Sequence, residues 1–82
     1  MSITYAILAL LWDEPRSGID ILHDLAQRDG RPPRPETIYP ELRRLEEGGF
    51  VRGRDAGARR IYSIAERGSA LLADQSEAAF AR

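Results

Sequence analysis

The residues between 34 and 51 concentrate side chains that bind phosphates and the edges of nucleic-acid bases. The segment reads RPETIYPELRRLEEGGFV, and its arginines carry a planar guanidinium that fits phosphate and guanine. A glutamate can accept a hydrogen bond from cytosine, a proline ring can contact a thymine methyl, and hydroxyls can bind phosphate. The candidate contact residues are Arg34, Glu36, Thr37, Tyr39, Pro40, Arg43 and Arg44. Their chemistry indicates recognition of nucleic acid.

The distribution of charge places the basic residues in the same part of the chain. The chain of 82 residues has 12 basic residues, all arginine, and 13 acids, for a net charge of −1. Residues 31–67 hold nine arginines and six acids, a net charge of +3, between two acidic flanks. The weakly acidic total therefore conceals a basic middle segment that is suited to a phosphate backbone.

The sequence lacks the residues that catalysis, metal binding or membrane insertion would need. The chain has no cysteine, so it has neither a disulfide nor a thiolate metal site, and its one histidine, His23, cannot form a metal site alone. We find no Gly-rich phosphate loop and no paired carboxylates at a cleft, so we expect no enzyme activity, metal or cofactor. The apolar run ITYAILALLW is too short to span a bilayer and lacks a basic leader, which predicts a cytoplasmic protein without membrane contact.

Two helices are expected before the basic segment. The first, over residues 4–13, has two apolar stripes, one with Ile3 and Ile7 and the other with Tyr5, Leu8 and Trp12. Because a surface helix needs only one apolar stripe, the second predicts a partner chain. The second helix, over residues 18–28, would begin at an N-cap serine, Ser17. Its buried face is predicted to contain Ile19, Leu22, Leu25 and Ala26, with Ile21 at the margin.

The third helix carries the candidate contact residues. It is predicted to begin between 35 and 37 and to end at 47, where two glycines follow, with Ile38, Leu42 and Leu45 facing the core. Helical register then places Glu36, Pro40 and Arg43 outward, with Thr37, Tyr39 and Arg44 on the flanks. A start at 36 or 37 would leave Pro40 at the edge of the first turn, where a missing N–H costs little.

A β-hairpin and a last helix complete the predicted order. The segments FVRGR and RRIYSI read as strands joined by a turn at residues 55–57, with Arg59 and Arg60 at the start of the second strand. These arginines could follow a phosphate backbone or enter a minor groove, or they could only protect an edge strand from aggregation. The fold class is mainly α with a small β-hairpin. We expect a winged helix-turn-helix over residues 1–64 and a C-terminal dimerisation helix over 65–82.

Three segments resemble the PadR family of bacterial transcriptional regulators. They are YAILALLWDEPRSGIDILHDL, PETIYPELRRLEEGGFVR and RRIYSIAERGSALL, and together they cover almost the whole chain. The resemblance implies a homodimeric repressor that binds a palindromic operator in double-stranded DNA. It implies DNA contacts from Thr37, Tyr39, Pro40 and the neighbouring arginines, and from Arg59 and Arg60 in the wing. Arg34 and Glu36 stand where the family often has a small residue and glycine, respectively.

The resemblance also implies dimerisation of the C-terminal helix on the partner's first helix. The residues that we assign to this interface are Tyr5, Leu8, Trp12, Leu71, Leu72 and Phe80. Some family members bind aromatic effectors at the dimer interface, so Trp12 could instead stack on a flat ligand.

Two alternatives remain open at this point. Arg43 and Arg44 could be solvated and paired with Glu47 and Glu41 along the helix. The whole domain could also be a winged-helix module that binds a protein rather than DNA.

Overall fold

The structure, a computed structural model, describes residues 2–29 and 33–80, except for the side chains of residues 29 and 76–80. Its helices are α1 (Ile3–Asp13), α2 (Gly18–Asp29), α3 (Pro35–Glu47) and α4 (Glu66–Phe80). Its strands are β1 (Arg16–Ser17), β2 (Val51–Ala56) and β3 (Arg59–Ile64), which form an antiparallel sheet in the order β1-β3-β2. The described residues therefore have the predicted fold, a winged helix-turn-helix followed by one further helix.

The first helix lies between the core and α4. Ser2 caps α1 by accepting a hydrogen bond from the Thr4 backbone N–H. Leu8, which we had placed on the partner-facing stripe, has an exposed fraction of 0%. It is covered because α4 crosses close by at Gly68, where an added Cβ would lie 3.2 Å from Leu8 Cδ2 and would overlap the Phe50 carbonyl oxygen. The assignment of Leu8 to a dimer interface is therefore wrong, since this side chain belongs to the protomer's own core.

The second helix begins where the sequence predicts, but it buries a different face. The Ser17 hydroxyl accepts a hydrogen bond from the Asp20 backbone N–H at 3.2 Å, which confirms Ser17 as the N-cap. Ile21 is fully buried and Leu25 nearly so, whereas Ile19 is 43% exposed. The prediction exchanged Ile19 and Ile21. The buried face of α2 instead consists of Gly18, Ile21 and Leu25.

The third helix begins too early for Pro40 to lie at the edge of its first turn. It starts at Pro35, with Arg34 as an N-cap that makes no side-chain hydrogen bond, so Pro40 is its sixth residue. The expectation that Pro40 lies at the edge of the first turn is therefore wrong. Because proline has no N–H, the Glu36 carbonyl has no donor from the next turn. Gly49, at φ 79°, then reverses the chain after the helix, as predicted.

The hairpin forms the wing, which comprises β2, β3 and the turn between them. Gly57 and Ala58 connect the strands, not residues 55–57 as predicted, and Gly57 has φ 66°. A glycine with positive φ at the first turn position is typical of a type II′ turn, which matches the twist of the strands. The register pairs Ala56 with Arg59 and Asp55 with Arg60. Since successive strand residues face opposite sides, Arg59 and Arg60 lie on opposite faces of the wing.

Candidate nucleic-acid interface

The outer face of α3 presents most of the predicted contact residues together. Ile38, Leu42 and Leu45 are buried, which turns the other side of the helix to solvent. The exposed residues on it include Arg34, Glu36, Thr37, Tyr39, Pro40 and Arg43. The outer face of α3 is thus a polar surface held in place by three core side chains, with one exposed arginine at the N-cap, Arg34, and another past the middle of the helix, Arg43.

Tyr39 connects this surface to the start of α2. Its ring lies so close to Gly18 that a Cβ on the glycine would be 2.7 Å from Tyr39 Cε1. The ring is 42% exposed, so one side packs on the glycine while the remainder meets solvent. The small residue at the beginning of α2 therefore allows the Tyr39 ring to pack directly against this helix.

A shallow groove of about 230 Å³ joins α2, α3 and the wing at this point. It is bordered by Gly18, Ile19, Tyr39 and Arg59, among others, with Tyr62 at its inner side. Ile19 is a residue of this surface that our sequence interpretation missed, because we assigned it to the core. An apolar side chain next to an exposed tyrosine at a helix N-terminus can contact a sugar or a base methyl, while the helix N-terminus favours phosphate.

Arg44 is held by an acid on its own helix. Its Nε donates to Glu41 Oε1 at 3.0 Å and its Nη2 to Glu41 Oε2 at 2.7 Å, and the Thr4 hydroxyl also donates to Glu41. The Arg44 guanidinium and the Thr4 hydrogen bond lower the pKa of Glu41, partly opposed by its burial. This pair is one of the two that we considered for the arginines of α3. Its existence means that Arg44 does not present an uncompensated charge.

Arg60 is held more firmly. Its Nη1 donates to Asp55 Oδ1 at 2.7 Å, and its Nη2 donates to Glu46 Oε2 at 2.5 Å. Hydrogen bonds to Glu46 and Asp55 raise the pKa of Arg60 above its ordinary value. Arg59 faces the other side of the wing, so the structure separates the two wing arginines that the sequence suggested as a unit.

The remaining arginines around this surface have no salt bridge within the part of the chain that the structure describes. They are Arg34 at the N-cap of α3, Arg43 on α3, and Arg52, Arg54 and Arg59 in the wing. The register places Arg52, Arg54 and Arg59 on one face of the hairpin. These five arginines are therefore uncompensated, while Arg44 and Arg60 are compensated; of the three in the wing, only Arg59 borders the groove beside Tyr39.

The predicted dimer surface is only partly exposed. Trp12 is 64% exposed and borders a groove of about 390 Å³ between α1 and α4, together with Ala9, Ser69, Leu72 and Ala73. Tyr5 and Leu71 are half-buried, and Leu71 and Leu72 also pack against the core. The side chain of Phe80 lies outside the described residues. What remains of the predicted surface is a mainly apolar groove with an exposed indole at its edge.

Residues 2–29 and 33–80 contain neither a metal-binding cluster nor a membrane-spanning helix. This part of the chain holds no group of three or more His, Cys, Asp or Glu side chains that could bind a metal. Its helices are all too short or too polar to cross a membrane.

Comparison with known proteins identifies a family. A model of the transcriptional regulator PadR-like family matches residues 7–74. A comparison with curated protein sequences gives no significant match. Among solved structures, H. salinarum RosR is 23% identical with a TM-score of 0.92, covering 99% of this chain and 74% of RosR, which shows a shared fold.

Two structures of Bacillus subtilis PadR are more similar in sequence. The complex with operator DNA is 31% identical with a TM-score of 0.75, covering 89% of this chain and 44% of PadR. The complex with p-coumaric acid is 32% identical with a TM-score of 0.76, covering 89% of this chain and 40% of PadR.

Proposed function

Because the chain belongs to the PadR-like family of transcriptional regulators, we propose that it is a DNA-binding repressor that acts on a palindromic operator as a homodimer. The observation that carries this proposal is the exposed N-terminal half of α3 beside the groove that joins it to α2 and the wing. A helix of this kind reads base edges with its N-terminal residues in the major groove. The operator complex of B. subtilis PadR supports the proposal.

The residues of α3 divide into two proposed roles. Thr37 and Tyr39 would bind phosphate through their hydroxyls, because both are exposed on the flank of the helix. Pro40, Glu36 and Arg43 face outward, where they would contact a thymine methyl, cytosine and guanine, respectively. Arg44 is proposed to contact phosphate with the part of its guanidinium that Glu41 leaves exposed.

The wing would supply the second contact. Arg59 begins β3 next to the turn and has no carboxylate partner among the described side chains. Arg52 and Arg54 follow on the same face, which gives the wing three cations that can track a phosphate backbone or enter a minor groove. Arg60 was our second candidate in the wing, and its two acidic partners lead us to a different role for it below.

Dimerisation is proposed through the groove between α1 and α4. An exposed indole beside Leu72 and alanine side chains is an apolar surface of the kind that a partner chain covers. A second copy docked through α4 there would align two recognition helices with half-sites one DNA turn apart. We propose that this groove could also hold a small aromatic effector beside Trp12, and the existence of a p-coumaric acid complex of B. subtilis PadR supports an effector of this class.

The experiment is selection of bound sequences from random DNA, followed by anisotropy titrations of the selected and scrambled duplexes over a range of salt. We expect an enriched palindrome, two chains per duplex by sedimentation, and an affinity that falls steeply with salt. Arg43→Gln should weaken binding to the selected duplex. Arg28→Gln removes the same charge at a different groove, beside Asp24 and Gln27, and is the matched control.

One observation favours the alternative of a protein-binding winged helix, namely the compensation of Arg44 and Arg60 by acids. The selection separates the two functions. Recovery of no common sequence, together with equal weak binding of selected and scrambled DNA, would refute the repressor and leave the protein-binding module.

A further inference from the structure

Arg60 connects the two elements to which we assign DNA contacts. It belongs to β3 in the wing, yet its Nε and Nη2 donate to Glu46, in the last turn of α3, at 3.4 and 2.5 Å. Its Nη1 donates to Asp55, its cross-strand neighbour in β2, at 2.7 Å. One guanidinium thus links the recognition helix to both strands of the wing.

The backbone of the wing makes room for this link at one residue. A Cβ on Gly53 would lie 2.6 Å from Arg60 Nε, 2.7 Å from Arg60 Nη2 and 2.7 Å from Glu46 Oε1. These distances are shorter than ordinary contacts, so any side chain at 53 would displace the pair. The Arg60–Glu46 pair therefore lies directly over Gly53.

The Arg60–Glu46 pair spans the short turn between α3 and the wing. Gly48 and Gly49 connect the end of α3 to Phe50 and β2, and Gly49 has φ 79°. The backbone N–H groups of Gly48, Gly49 and Phe50 donate to carbonyls of α3, so the turn itself already restricts part of the angle of the wing. A charged pair across the junction would restrict it further.

The charges make Arg60 a poor phosphate ligand. One guanidinium faces two carboxylates, so the cluster carries a net charge of −1, and a phosphate would have to displace both acids. Arg59 is the next residue, faces the other side of the hairpin, and meets no such competition among the described side chains.

We propose that Arg60 and Glu46 form a lock that sets the angle of the wing relative to α3, and that Arg60 positions the DNA contacts without touching DNA. This inference rests on the proposed function. In this role, Arg60 and Glu46 set the distance between α3, the proposed major-groove helix, and the wing. Without the Arg60–Glu46 pair, the angle of the wing is less restricted in the free protein. Binding is then weaker, because DNA must fix that angle on binding.

The test compares four single variants and one double variant by anisotropy on the selected duplex, over a range of salt. Arg60→Gln and Glu46→Gln should each lower the affinity roughly fivefold, the scale of coupling within one ion-pair network. The double variant should lose no more than either single variant. Gly53→Ala should give a similar loss although it changes no charge. The salt dependence should stay that of the unmodified protein in Arg60→Gln, Glu46→Gln, Gly53→Ala and the double variant.

Arg59→Gln is the matched control in the wing. It should weaken binding and reduce the slope of log affinity against log salt by about 1, as loss of one phosphate contact does. The lock is overturned if Arg60→Gln reduces the slope in the same way while Glu46→Gln tightens binding. That result would mean that Glu46 competes with DNA for Arg60.

Amide hydrogen exchange without DNA separates this inference from the proposed function. Arg60→Gln and Gly53→Ala should speed exchange in β2 and at residues 48–50, whereas Arg59→Gln should not. If the unmodified protein binds no DNA, the repressor fails but the exchange data still report the lock. If the unmodified protein binds DNA and Arg60→Gln changes neither the exchange rates nor the affinity, only the lock is refuted.

Discussion

The contact between Gly18 and Tyr39 allows a sharp test of how the candidate interface is built. In Gly18→Ala the new Cβ would lie 2.7 Å from Tyr39 Cε1, so the ring must retreat by about 0.7 Å to reach an ordinary contact of 3.4 Å. The ring can do so, because it is 42% exposed and ends a flexible side chain. The helix itself should tolerate alanine, since the φ of Gly18 is not positive.

The expected effect on stability is therefore small, whereas the effect on binding is not. Alanine is favoured over glycine in a helix by about 0.5–1 kcal/mol, which offsets the cost of moving the ring. A retreat by rotation about the Cα–Cβ bond moves the hydroxyl farther than Cε1, because the hydroxyl lies farther from that axis, and hydrogen bonds tolerate a range of only about 0.5 Å. Losing one hydrogen bond to a charged phosphate costs about 1.5–3 kcal/mol, which lowers the affinity roughly 10- to 150-fold.

The assay is a double-mutant cycle by fluorescence anisotropy, with urea unfolding of each variant as the control. Gly18→Ala and Tyr39→Phe should each weaken binding to selected and scrambled DNA alike, and the double variant should lose little more than either one. Two results would refute the reasoning. They are unchanged affinity in Gly18→Ala, or losses that add in full, because independent effects mean that Gly18 does not act through Tyr39.

Further predictions concern the fold and the acids and proline of α3. Gly68→Ala should destabilise the protein by more than about 3 kcal/mol in urea unfolding, because its Cβ meets the rigid Phe50 carbonyl; near-normal stability would contradict the crossing of α4. Glu41→Gln should cost less than about 1 kcal/mol at pH 7. Because Arg44 lowers the pKa of Glu41 from its ordinary 4.5, this difference should vanish as the pH falls through the lowered value, and a constant difference would refute the pair. Pro40→Ala should stabilise α3 by roughly 1–3 kcal/mol and change the selected sequence, whereas loss of stability would mean that the ring packs favourably.

Local patterns in the sequence predicted much of the candidate interface. The spacing of Ile38, Leu42 and Leu45 defined the buried side of α3, and so the outward position of its polar residues. The hydroxyl of Ser17 marked the start of α2, because capping involves groups only three residues apart. The Arg44–Glu41 pair also follows from helical spacing, since residues three apart lie side by side.

The exchange of Ile19 and Ile21 shows where local pattern is insufficient. Both are isoleucines in the first turn of α2, and both could continue an apolar stripe toward Leu25. Which one is buried depends on the elements that pack against that turn, and these leave Ile19 in the groove beside Tyr39. Leu8 is the converse case. Its burial requires the close crossing of α4 at Gly68.

Arg59 and Arg60 show that local pattern is also insufficient to predict which charges are compensated. Adjacent arginines in a predicted strand indicated a basic wing, and we treated them as a unit although alternation along a strand places neighbours on opposite faces. Their difference in chemistry comes from Glu46, which is 14 positions away along the chain and meets Arg60 only after the glycine turn and β2 have brought it there. Caps, helix ends and alternation arise between near neighbours, so the order of residues reveals them. Exposure and compensation of charge arise between distant segments, so they became visible only when those segments were packed together.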